Sequence, residues 1–271
     1  MKLNGKLIII LLNLFYYFEL KFCITAEQNN INGININYIR GLKKVVYTIL
    51  FGKYDNVHNL VKEKGYDYFM LTDQRLDNQS KINWTILSFR PKKKYKNKIY
   101  RIKKQRFYKT HPHLLFQNYD LSIYVDASYA IKGNLDEFLL RILSQNKSIY
   151  MLEHPCRNTI NNEFSAVVKY NKDKVNNVVH IKNIYNEEKF PDDNGLAETC
   201  LIIRKHNDFE CQNFMEKWFQ QIKLYSHRDQ LSFNYIWWKT KSSIIKYIPK
   251  EFTNIYFQQF PKHLKEHRHK K

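Results

Sequence analysis

Short apolar runs that each stop at a glycine or an acidic residue do most to fix what this chain can become. Val45-Val46-Tyr47-Thr48-Ile49-Leu50-Phe51 is β-branched and aromatic almost throughout and stops at Gly52. Tyr68-Phe69-Met70-Leu71-Thr72 stops at Asp73, and Leu121-Ser122-Ile123-Tyr124-Val125 stops at Asp126. Strands lacking polar alternation are covered on both faces, which is the situation of a parallel sheet. Further strand signals lie at 84–89, 148–152, 199–203 and 244–248. Between them the apolar spacing turns helical: Leu135, Phe138, Leu139 and Ile142; Phe214, Met215, Trp218, Phe219 and Ile222; Leu231, Tyr235 and Trp238. The alternation predicts an α/β fold, a single Rossmann-like domain with a mainly parallel central sheet flanked by helices and its site at the carboxyl ends of the strands. With 271 residues, 44% of them hydrophobic, the chain suits one well-buried domain better than two.

Asp126 and Ser128 stand where the third run ends, so their side chains emerge at the mouth of the crevice. A carboxylate two residues before another oxygen suits a hard divalent cation bridging diphosphate oxygens; the competing role is an Asp that caps a turn. Glu198 heads the apolar segment at 199–203, beside a Pro-Asp-Asp-Asn-Gly loop. A carboxylate entering a core strand is costly unless it is paired or faces a crevice, which makes Glu198 a catalytic candidate.

The formal net charge of +20 invites a polyanion partner. Lysine is abundant everywhere, however, so a basic solvated surface is the plainer reading and a nucleic-acid partner is not expected. The dense basic block at 90–109 is the part that would face phosphates. Lys2 and Lys6 precede an apolar run at 7–17 that falls short of the roughly 20 residues spanning a bilayer. Residues 1–26 therefore read as a signal peptide or signal anchor, giving membrane association at that end and a secretory location, in the ER or Golgi lumen or outside the cell. A polar linker is expected at 27–41, the catalytic domain at 42–258 and a basic His/Lys-rich tail at 259–271. Cys156, Cys200 and Cys211 follow the targeting segment without paired metal spacing; one disulfide is allowed, a disulfide scaffold is not.

Several ordered blocks carry a family likeness: Val46 through Asp55, Asp67 through Asp73, His111-Pro112-His113-Leu114-Leu115-Phe116 followed by Tyr119-Asp120 and Asp126-Ala127-Ser128, Asn134-Leu135-Asp136-Glu137-Phe138, Glu153-His154-Pro155-Cys156-Arg157, Asn194 through Thr199, and His227 through Phe233. Together they resemble nucleotide-sugar glycosyltransferases of the GT-A fold. The likeness is particularly to the plant and microbial glycosyltransferase-like family that includes Golgi proteins of mucilage and pectin synthesis and a turgor-regulation protein described as an alkaline ceramidase.

The resemblance implies transfer of a sugar from a nucleotide-sugar donor to a glycan, protein or lipid acceptor, with a divalent metal, Mn2+ by preference. It places the donor's base and ribose near Thr48, Phe51, Gly52 and Tyr54, with Asp73 ending the next strand. Arg106 and Lys109 would meet the diphosphate. Asp229 would orient an acceptor hydroxyl or act as a base, and Gln230 would bond the donor sugar; a helix cap is the structural alternative for Asp229. His263 in the tail is the implied third metal ligand beside Asp126 and Ser128. The usual Asp at the last position of the metal motif is Ser128 here, which leaves a metal-independent site open. Two other functions compete: a ceramidase-like lipid amide hydrolase, for which no His-Glu-x-x-His or Gly-x-Ser-x-Gly element is present, and a non-enzymatic polyanion binder.

Overall fold

The computed structural model describes residues 30–31, 34–52, 61–75, 83–89, 97–248 and 250–259. The strands are β1 (Asn30–Ile31), β2 (Ile34–Asn35), β3 (Lys44–Leu50), β4 (Tyr66–Thr72), β5 (Thr85–Ser88), β6 (Leu121–Val125), β7 (Tyr129–Ile131), β8 (Ile149–Glu153), β9 (Ala197–Arg204), β10 (Ile245–Ile248) and β11 (Phe257–Gln259). The helices are α1 (Ile36–Gly41), α2 (Lys98–Thr110), α3 (Leu135–Leu143), α4 (Ile160–Lys169), α5 (Val175–Glu187), α6 (Phe209–Leu224), α7 (Gln230–Thr240) and α8 (Lys250–Tyr256). Every apolar run between residues 45 and 248 that was expected as a strand is one, and every helical spacing is a helix; the run at 7–17 lies outside the described residues. The expected mainly parallel sheet flanked by helices is the architecture of the chain.

Seven strands form the central sheet in the order β10-β8-β9-β6-β3-β4-β5. All neighbouring pairs are parallel except those of β9, which runs against both β6 and β8. Period-two alternation splits each strand between two cores. Val45, Tyr47, Ile49 and Tyr124 face the layer of α6 and α7, with Trp218 and Phe233. Val46, Ile123, Tyr150 and Ile203 face α3, with Phe138, Leu139 and Ile142. Asn134 caps α3 by accepting the Glu137 N–H at 2.9 Å, and Asn97 caps α2 by accepting that of Tyr100 at 2.7 Å; each such cap stabilises by about 1 kcal/mol.

The reversal of β9 is what sequence could not give. A reversed strand brings its head, not its tail, to the carboxyl edge of its neighbours, so Glu198 arrives at the edge where β6 delivers Asp126. The Asp126 N–H donates to the Cys200 carbonyl at 2.8 Å, fixing this register.

Within the segment expected as a linker, α1 forms behind an Asn35 cap, and Ile39 is fully buried. Its carbonyl accepts from the buried Lys44 ammonium at 2.6 Å. Helices α4 and α5 were not foreseen: their apolar faces are short and interrupted by Asn and Lys. Cys156, Cys200 and Cys211 are free thiols, so the disulfide left open above does not form among the described residues. No helix of the described residues is long and apolar enough to cross a membrane.

Candidate functional site

The carboxyl end of β6 sets the site. Period two places Tyr124 and Asp126 on one face, and the Tyr124 hydroxyl donates to the Asp126 carboxylate. Asp126-Ala127-Ser128 makes a turn closed by the Tyr129 N–H donating to the Asp126 carbonyl at 2.9 Å, and both polar side chains stay partly exposed. The turn-forming alternative and the site position are thus the same structure.

Above this face lies a buried charge cluster. Asp229 is 2% exposed. Its Oδ2 accepts from Lys109 Nζ at 2.6 Å and from the Thr199 hydroxyl at 3.0 Å, while Arg106 Nη2 sits 3.3 Å from Oδ1. Burial pushes the Asp229 carboxyl up, but Arg106, Lys109 and Arg228 together outweigh burial and hold it well below the usual carboxylate range. So strongly held an anion is a poor proton acceptor at neutral pH, because a general base works best with a pKa near the working pH. The surroundings of Asp229 therefore favour an anchoring role over the base role expected for it. It also makes no side-chain cap to α7, although it stands at that helix's start; its work is to hold Lys109 and Arg106. Those two residues are likewise not a solvated helix face: Lys109 is buried, Arg106 is mostly covered, and the Lys109 ammonium lies 4.9 Å from the Tyr124 ring centre.

Lys109 is placed by the end of α2. Its carbonyl accepts from Tyr47 Oη at 3.0 Å and from Arg204 Nη1 at 2.7 Å, and Arg204 also bonds the Tyr47 hydroxyl. Arg204 is fully buried. A cation at a helix carboxyl terminus is favoured by the helix dipole. Sequence reasoning missed Tyr47, Thr199 and Arg204, because each acts through partners remote in sequence. It also passed over Arg228, whose Nη2 is 3.4 Å from Gln230 Oε1. The signal for Arg228 was available, since it lies inside the His-Arg-Asp-Gln block.

Glu198 lies on the same edge, with Tyr129 Oη donating to its Oε1 at 3.3 Å and the buried Cys200 thiol beside both. On the far side, Glu163 is buried and pairs with Arg157 Nε at 2.7 Å. Burial raises the Glu163 carboxyl, and Arg157 and Arg228 offset this only in part. His154 Nδ1 accepts the backbone N–H of Cys156 and of Arg157, at 3.1 and 3.0 Å.

The expected donor residues fall at the ends of β3 and β4. Gly52 has φ +72, a left-handed conformation that favours glycine. Its N–H donates to Asp73 Oδ1 at 2.7 Å, and Arg101 Nε pairs with Asp73 Oδ2 at 3.0 Å. Phe51 stacks on Phe89 with centroids 5.0 Å apart. Thr48 is buried inside β3, its hydroxyl unpaired among the described residues, so it does not open onto the crevice. Tyr54 and His263 lie outside the described residues.

Among the described residues, no group of three or more His, Cys, Asp or Glu is arranged to hold a metal ion. The oxygens of Asp126 and Ser128 fit a hard cation that arrives with a diphosphate, since such ions are commonly held by one or two carboxylates plus substrate phosphates.

The chain is thus a mainly parallel sheet with Lys109, Arg106 and Asp229 gathered, largely buried, near the end of β6 where Asp126 stands. The family described as TOD1/MUCI70, glycosyltransferase-like domain, matches residues 24–268, and the chain belongs to that family. Solved structures similar to it include the apo form of the bifunctional glycosyltransferase WbbM, at 13% identity over 77% of this chain and 39% of that one, with a TM-score of 0.42. Another is the glycosyltransferase GlyE of Streptococcus pneumoniae TIGR4, at 8% identity over 79% of this chain and 47% of that one, with a TM-score of 0.41. This chain spans less than half the length of either. No curated protein matches it in sequence.

Proposed function

We propose that this chain transfers a sugar from a nucleotide-sugar donor to a glycan, protein or lipid acceptor, in the crevice between the ends of β3, β6 and β9. The observation that carries the reading is charge: Lys109, Arg106 and Arg228 converge on the buried Asp229, and Lys109 also acts on Asp126 at the end of β6. Preorganised cations in a water-poor site stabilise a departing diphosphate without reorganising during the reaction. Asp126 and Ser128 are the residues that would hold a divalent cation, Mn2+ by preference, and His263 is the third expected ligand. A bound cation supplies Lewis-acid neutralisation of the diphosphate.

Phe51, Gly52 and Asp73 border the space for the nucleoside, and Gln230 for the donor sugar. With Asp229 occupied by its ion pairs, Glu198 is the carboxylate placed to orient or deprotonate an acceptor hydroxyl. A secretory location with an N-terminal signal or anchor remains the reading of residues 1–26, from sequence alone.

The test is a thermal-shift series of nucleotide sugars with and without Mn2+, followed by transfer assays of Asp126→Asn. A ligand that binds only the folded state raises Tm. The expected result is Mn2+-dependent stabilisation by one nucleotide class and a loss of transfer of more than about 100-fold in the variant, equivalent to about 2.7 kcal/mol. Full activity in Asp126→Asn would remove the assigned role.

A further inference from the structure

A cleft of about 380 Å3 opens along the β10 edge of the sheet, lined by Asn194, Trp237, Trp238, Lys241, Ser242 and Tyr247. The polar handles of two of its three rings are engaged. Trp237 Nε1 donates to the Ser242 carbonyl at 2.9 Å, and the Tyr247 hydroxyl accepts from Asn234 Nδ2 at 2.6 Å. Trp237 is braced against Tyr247, with centroids 5.2 Å apart, and Trp238 against Phe190 at 5.3 Å. Gly195, at φ +73, lets the chain pass the Tyr247 hydroxyl; a Cβ there would sit 3.3 Å from it. These bonds fix Trp237 and Tyr247, and the cleft is lined by polar and apolar surface in about equal parts. Rigid aromatic walls with a few polar groups are what a sugar ring needs, since its C–H faces are apolar and its edges hydrogen-bond.

Lys241 adds charge to this setting. Its ammonium makes no hydrogen bond or ion pair among the described residues, and it ends α7 with φ 49 and ψ 36. That left-handed position is where helices ordinarily place glycine or asparagine. A lysine there costs stability, as it does at Lys189 just past α5.

We propose that this cleft is a second glycan-binding site, which takes a sugar ring bearing an anionic substituent, a carboxylate or a sulfate, with its face on the indoles and its charge on Lys241. Asn194 is four residues from Glu198, so the two Cα atoms are at most about 14 Å apart, within the span of a short oligosaccharide. The site's purpose, to hold a distal unit of the acceptor, rests on the transferase reading; the binding itself does not.

The test is titration of the full chain, by tryptophan fluorescence at physiological salt, with a hyaluronan tetrasaccharide carrying carboxylates, a chondroitin sulfate tetrasaccharide carrying sulfates as well, and neutral chitotetraose. The expected result is saturable binding of at least one anionic probe, at least about tenfold tighter than chitotetraose. Binding of hyaluronan identifies the carboxylate as sufficient, and binding of chondroitin sulfate alone identifies the sulfate. Lys241→Gly should lose about tenfold in affinity without a fall in Tm, because glycine suits the backbone there, and Asp126→Asn should bind the probes as the wild type does. Equal affinity for neutral and anionic probes, no titration by any of the three, an unaffected Lys241→Gly, or loss of binding in Asp126→Asn would each overturn the proposal. Absence of transfer with titration intact would instead overturn the transferase reading and leave this site standing.

Discussion

Lys109 Nζ lies 2.6 Å from Asp229 Oδ2, although 120 residues separate them in sequence and both side chains are almost entirely buried. The pair ties the end of α2 to the start of α7. Breaking one side of it should be expensive. Lys109→Met should cost about 3–5 kcal/mol in urea denaturation, because it takes from a buried carboxylate the shorter of its two ion pairs. Replacing Asp229 by Leu in the same chain should restore part of that stability but not the transfer activity. A Lys109→Met variant as stable as the wild type would show the pair to be unimportant for folding.

Acid should weaken the fold through His113. Burial, then the charges of His111, His206 and Arg204, lower its pKa to about 4 from 6.5. The unfolded chain therefore takes up this proton first as pH falls. The contribution is whole above pH 6.5 and fades toward pH 4, so Tm should drop between pH 7 and pH 4.5. His206 and His227, also lowered chiefly by burial, share the slope. His113→Gln should flatten part of it in scanning calorimetry; an unchanged slope would count against the assignment.

Gly133 carries the close approach between the turn before α3 and the last helix. A Cβ there would lie 2.5 Å from Tyr256 Cδ1 and 3.0 Å from Tyr256 Cα. Backbone on one side leaves little room to yield, so Gly133→Ala should destabilise by about 1–3 kcal/mol. Hydrogen exchange at Phe257–Gln259 should quicken with it, as β11 loses its hold on β7. Unchanged exchange there would refute the coupling.

Thiol labelling should separate the cysteines by burial. Cys156 is exposed, whereas Cys200 and Cys211 are buried. Burial pushes the Cys211 thiol up to about 12 and that of Cys200 well above its ordinary value. Only the thiolate reacts. Peptide mapping after iodoacetamide treatment of the native protein should find Cys156 modified and the other two intact; prompt labelling of Cys200 would mean that the crevice beside Glu198 opens to solvent.

The fold was legible where burial is written locally. The run at 45–51 reads as a strand because both its faces are apolar, and Leu135, Phe138, Leu139 and Ile142 read as a helix because they recur on one face. The site was legible in its strand-end members: Asp126 and Ser128 follow directly from where β6 stops. The direction of β9 was not legible, since an antiparallel strand buried between two others has the same two-sided apolar composition as a parallel one. Nor were the roles of Arg204 and Tyr47, which act on a carbonyl at the end of a remote helix.

The sequence by itself determined the α/β class, the strand ends and the chemical types available at the crevice, because those depend on local periodicity and on which residue follows each apolar run. Tertiary structure alone decided what each charge does. Asp229 became a buried anchor because Lys109, Arg106 and Thr199 converge on it from other elements, and a carboxylate's basicity is set by the charges and solvent around it, which no local pattern records.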